Sequence, residues 1–229
     1  GWAPGDVDGD LEIAEHVIAL ARRHYEGSVA ASRAPAGTPS AHAAALSLAD
    51  CRAWAAEVFT TRALAAQVLA GGAGTGTMPL TAWAPGRAAG DELQPHELLQ
   101  LAVEEYNAAI TLRGELEPAQ SRPLCALRVS LGICHQQLSQ GDSALRQFGA
   151  AVRGLQDRAN ALEVQCARGG TTAQRNELES LRELLGDLHA RVVECETQRA
   201  CVADALVASA APPRPGSQGG GQQPCNDFA

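Results

Sequence analysis

Residues 125–156, CALRVSLGICHQQLSQGDSALRQFGAAVRGLQ, carry the spacing that sets the fold of this chain. Leu131 and Gly132 stand side by side, His135 follows, and Ala144, Phe148 and Ala151 come after a polar break at Gln140-Gly141-Asp142. That order predicts two helices joined by a turn. Gly132 and Ala144 are small where two antiparallel helices must cross closely, while Leu131 and Phe148 fill the space beside the crossing. Asp142 or Ser143 is placed to cap the second helix.

These offsets are the ladder of the tetratricopeptide repeat (TPR), a helix–turn–helix of about 34 residues that stacks into arrays. Working backwards, ADCRAWAAEVF puts Ala55-Ala56 where Leu131-Gly132 lie and Phe59 where His135 lies. HELLQLAVEEYNAAITL then supplies Ala102, Tyr106 and Ala109 at the offsets of Ala144, Phe148 and Ala151. This earlier repeat, 41–117, is stretched: Phe59 to Ala102 is 43 positions, against nine from His135 to Ala144. The excess holds GGAGTGTMPLTAWAPGRAAG, so a flexible insertion is expected over about 71–92. Its glycines are not a phosphate-binding loop, because that loop needs a Lys and a preceding strand.

Further upstream, residues 1–9 are turn-rich and predict a linker. Asp10 then caps a helix over 10–26, the second helix of an incomplete repeat, with Gly27 as its stop and 27–40 as linker. Downstream, residues 122–156 form the compact repeat, and its second helix continues to about Cys166 through Leu155, Ala159 and Leu162. Gly169-Gly170 breaks it, and Thr171 or Thr172 caps a last helix carrying Leu178, Leu181, Leu185, Leu188, Val192 and Cys195. That seam can pack antiparallel along the extended helix, so 157–208 reads as a capping hairpin, acidic outside and apolar inside. Residues 209–229 have the composition of a disordered tail. The expected fold is all-α: a TPR-like array with a long C-terminal capping hairpin.

Bulk composition agrees. Of 229 residues 45% are apolar and only 3% aromatic, which suits close-packed helices better than a β-sandwich. Net charge is −8, every one of the 18 basic residues is Arg, and no Lys occurs. The acidic balance disfavours direct nucleic-acid binding and suits a basic partner. Seven cysteines form no C-x-x-C pair, which predicts a reducing, intracellular environment and no zinc site. No run has the length of a membrane span, and the N-terminus lacks a signal-peptide pattern. The first residue is Gly rather than Met, which predicts a fragment or processed chain.

The order of these elements resembles the nuclear autoantigenic sperm protein family, the interrupted-TPR histone chaperones. The resemblance rests on DLEIAEHVIALARRHYE, LQLAVEEYNAAITL, LRVSLGICHQQLSQGDSALRQFGAAV and ELESLRELLGDLHARVVE, and spans about residues 10–208. It corresponds to the family's C-terminal half, and the insertion between Phe59 and Ala102 departs from the common pattern. The resemblance implies a nuclear chaperone that binds histone H3, alone or with H4, for nucleosome assembly or for histone storage and transport. It implies no cofactor, small-molecule substrate or catalytic activity.

In such an array the first helices of successive repeats line a concave groove. Asp50 and Glu57 would give it a carboxylate wall, and Ala126, Val129, Ile133 and Gln136 an apolar one. That combination suits an amphipathic basic helix. Glu12, Asp50, Glu57, Gln136 and Asp142 are the candidate partner-binding residues. Glu57 leads them because A-A-E-V here matches the family's L-G-E-V. Glu104 and Glu105 are expected on an outward, solvated face. The rival reading is a generic TPR scaffold or a cochaperone; a cochaperone gripping Hsp70 or Hsp90 tails would need a clamp of Lys, Asn and Arg on the first helices. The six His form no nucleophile–base arrangement, so an enzyme is not expected, and His135 is expected to be packed inside.

Overall fold

A computed structural model describes residues 6–31, 38–71 and 93–210. Among them are six helices and no strand: α1 (Asp6–Ala31), α2 (Pro39–Gly71), α3 (Pro95–Leu116), α4 (Arg122–Gln137), α5 (Gly141–Ala167) and α6 (Thr172–Ala210). The protein is all-α over these residues. Residues 72–92 of the expected insertion and 211–229 of the expected tail lie outside the described residues, whereas Gly71 ends α2 and 209–210, expected as tail, are the end of α6.

Local chemistry accounts for most helix ends. Before α3, the Glu97 carboxylate accepts from the Gln94 backbone N–H at 2.9 Å. Before α4, the Ser121 hydroxyl accepts from the Leu124 N–H at 3.2 Å. Thr171 caps α6: its hydroxyl accepts from the Gln174 N–H (3.3 Å), and the Gln174 side chain accepts from the Thr171 N–H (2.8 Å). After α5, Gly169 takes φ 101°, a left-handed conformation that suits a residue without Cβ.

Several boundaries differ from expectation, among them the start of α2 at Pro39, inside the expected linker 27–40. α1 starts at Asp6 and runs through Gly27 to Ala31, so residues 6–9 and 27–31 are helix rather than linker. Nothing lies within 4 Å of where a Gly27 Cβ would be, and an exposed helical glycine costs only about 1 kcal/mol, which the packing of α1 offsets. The turn between α4 and α5 comes earlier than Gln140-Gly141-Asp142. Ser139 adopts φ 58°, the Gln140 N–H donates to the His135 carbonyl at 2.8 Å, and Gln140 is the residue before α5. Asp142 therefore sits inside the first turn, where its charge favours the helix N-terminus without capping it.

Each helix packs chiefly on its neighbours in sequence. The pairs α1–α2, α2–α3 and α5–α6 run antiparallel, as the bonds between them require. Glu15 meets Arg62 while Glu26 meets Arg52 across α1 and α2; Arg52 meets Glu105 while Asp50 meets Arg113 across α2 and α3. Between α5 and α6, Gln165 meets Gln174, Arg158 meets Glu177 and Asp142 meets Arg199. Two apolar cores result. Ile18, Phe59, Leu99, Tyr106 and Leu131 belong to the first, built from α1 to α4. Cys125, Phe148, Leu155, Leu181 and Leu188 belong to the second, built from α4 to α6. α4 contributes to both and so joins them.

The α4–α5 crossing explains the small residues in the starting stretch. A Cβ on Gly132 would lie 2.5 Å from Phe148 Cε1, so the aromatic ring fills the space that glycine leaves. Gly154 is held as tightly, against the Cys125 Sγ and the Ala119 carbonyl, each 2.7 Å from its notional Cβ.

Candidate functional site

The outward face of α2 carries Trp54, Glu57, Thr61, Leu64 and Val68 in one helical stripe, opposite the buried Ala55, Ala56, Phe59 and Ala63. Trp54 is 57% exposed and Val68 76%, unusual for such side chains on a helix whose other face is core. Glu57 stands exposed between Trp54 and Leu64.

Beside this stripe, the seam between α2 and α4 is closed by the phenol of Tyr106, which reaches up from α3. Burial outweighs the opposing effect of Ser130 and Thr60, which act to lower its pKa. The Thr60 hydroxyl donates to the Ala56 carbonyl at 2.8 Å and lies 3.4 Å from the Cys134 Sγ. Burial, reinforced by Cys134 and by the charge of Glu57, pushes the Tyr106 pKa up to about 12. The phenol therefore stays neutral, and Glu57 is close enough to the seam for its charge to be felt there.

The other candidates are placed differently. Asp50 lies on the same face of α2 as Glu57 but is ion-paired to Arg113 of α3, which also holds Glu117. Gln136, at the end of α4, donates to Gln198 of α6 at 3.0 Å. Asp142, at the start of α5, accepts from Arg199 of α6 at 2.8 Å. Gln136 and Asp142 are thus brought together under the end of α6, away from Glu57. Glu12 lies in α1, and its side chain is outside the described residues.

Three expectations are corrected. The apolar wall assigned to α4 is largely spent on structure, because Val129 and Ile133 pack against the second core; Ala126 is exposed. The exposed large apolar groups include Trp54, Leu64 and Val68 of α2, and also Ile13, Val17 and Leu20 of α1. Glu105 is not a solvated outer charge: it is buried, accepting from Arg22 at 2.7 Å and Arg52 at 3.0 Å, with Glu26 bonded to both arginines. α1 covers that end of the α2–α3 pair and carries Arg22 with it, whereas Glu104 remains exposed. His135 is not packed inside; it is half-buried, its Nδ1 2.7 Å from the Gln140 side chain, at the basic end of α4.

Trp54 escaped the sequence reading because it falls among alanines and marks no repeat position. Its signal was a bulky aromatic three residues before Glu57, on the helical face that carries no core residue.

The six cysteines among the described residues are free thiols. Burial raises the pKa of Cys51, Cys125, Cys134 and Cys195, so these remain protonated, packed and poorly nucleophilic. Among the described residues no helix is long and apolar enough to cross a membrane.

Compared with models of known protein families and with curated proteins, the chain matches none of them.

Proposed function

We propose that this chain is a TPR-type helical array that binds histone H3, alone or with H4, and serves as a nuclear histone chaperone in nucleosome assembly or histone storage and transport. On this proposal it is a binding protein rather than an enzyme and needs no cofactor. The observation that carries it is the exposed stripe of α2. Trp54, Leu64 and Val68 offer apolar anchors to one side of an amphipathic helix, and Glu57 offers a carboxylate to an Arg or Lys between them. The net charge of −8 would speed encounter with so basic a partner. The succession of antiparallel helices, with the Gly132–Phe148 crossing at the offsets of the repeat, supports the TPR reading.

The test is a pulldown at moderate salt with purified H3–H4, set against an Hsp90 tail peptide. Retention of the tail peptide and not of histones overturns the proposal. With histone bound, Glu57→Arg places like charges together and should weaken affinity about tenfold or more, measured by fluorescence titration. Unchanged affinity would move the site away from α2.

A further inference from the structure

α6 is longer than the helix it covers. Running antiparallel to α5, it reaches the first residue of α5 at Cys195, whose Sγ donates to the Gly141 carbonyl at 3.7 Å. Residues 196–210 continue past that point as about 22 Å of helix, and residues 196–205 are all exposed. Two contacts tether this overhang to α4 and α5: Gln198 to Gln136 and Arg199 to Asp142. Beneath them lies a cleft of about 120 Å³ lined by Gln136, Gly141, Cys195, Gln198, Arg199 and Val202, so that, apart from the Arg199 stem lying over Gly141, the overhang is held by these bonds more than by packing.

Arg199 presents to Asp142 the guanidinium that a basic partner would present. From this we infer that the end of α6 is a strap: Arg199 is bonded to Asp142 in the free protein, and a basic partner competes with it for that carboxylate. The inference rests on the histone reading for the identity of the partner, but the strap itself does not. Both side chains are more than half exposed, so the contact is weak and easily exchanged. That is what a displaceable strap needs and a permanent cap does not.

Two measurements on the full chain test this. The first is hydrogen–deuterium exchange without histone, comparing wild type with Arg199→Gln and with Arg191→Gln, which removes the same charge elsewhere on α6. Amides 196–205 should exchange several-fold faster in Arg199→Gln alone. Equal exchange in all three overturns the strap. The second is the affinity for H3–H4, which Arg199→Gln should raise about two- to fivefold beyond any gain in Arg191→Gln. Equal gains overturn the competition. A wild-type chain that binds no histone overturns the histone reading and the competition with it, while the exchange comparison still decides whether the strap exists.

Discussion

At Gly132 a single missing methyl group sets the distance between two helices. Its notional Cβ lies 2.5 and 2.7 Å from two ring carbons of Phe148, and both residues are in the buried interior. Gly132→Ala should therefore lose about 1–3 kcal/mol of stability through overpacking, in spite of alanine's better helix propensity. Gly186 of α6 has nothing within 4 Å of its notional Cβ, so Gly186→Ala should instead gain up to about 1 kcal/mol. Urea denaturation of both variants measures the contrast. Adding Phe148→Leu to Gly132→Ala should cost less than the two changes summed, since the smaller side chain relieves the clash. Strict additivity would mean that the ring is not what the methyl group meets.

At the scale of elements, α1 is held to α2 and α3 by buried and half-buried charge as well as by apolar contact. Arg62 of α2 is 2% exposed and lies 3.0 Å from Glu15 of α1, which is also buried. A second node joins Arg22 and Glu26 of α1 to Arg52 of α2 and Glu105 of α3. Glu15→Ala leaves a buried guanidinium without its carboxylate, a loss of about 3–5 kcal/mol for such a pair. α1 closes the array on one side only, so the loss should appear as local opening. Hydrogen exchange should quicken in α1 while α5 and α6 stay protected. Pairing Glu15→Leu with Arg62→Met should restore much of the protection, because apolar residues of similar volume avoid the desolvation cost. Quickened exchange in α5 and α6 as well would show that the array unfolds as one unit.

Over the whole molecule, a buried phenol and four buried thiols make stability fall at alkaline pH. Tyr106 has a folded pKa of about 12 against an ordinary 10, and four buried thiols are shifted in the same direction. The unfolded chain releases these protons first, so their contribution is fully present below the unfolded pKa values. It is lost as pH rises through the folded ones. The urea midpoint should begin to fall above about pH 9 as the thiols titrate and fall faster between about pH 10 and 12, Tyr106 alone accounting for about 2–3 kcal/mol. Tyr106→Phe should flatten the steeper part. A slope unchanged by that substitution would assign the alkaline loss to other groups.

What was legible in the amino-acid order follows from period and residue size. The helices, the small residues at the α4–α5 crossing and the glycine break after α5 all rest on interactions within a few turns, and these leave regular marks. The helix through Gly27 was not legible, because a glycine marks a stop only when tertiary contacts do not carry the helix onward. Glu105 looked like a surface charge until α1 brought Arg22 over it from 83 positions away. Gln136 and Asp142 looked free until the end of α6 returned to them. The sequence by itself thus determined an all-helical chain with a close crossing at Gly132 and Phe148. Only the tertiary structure decided which charges are buried, which are tethered, and that Trp54, Leu64 and Val68 beside Glu57 are left exposed. The physical reason is that periodicity tells which face of a helix is apolar, whereas the partner of a charge depends on which distant segment packs beside it.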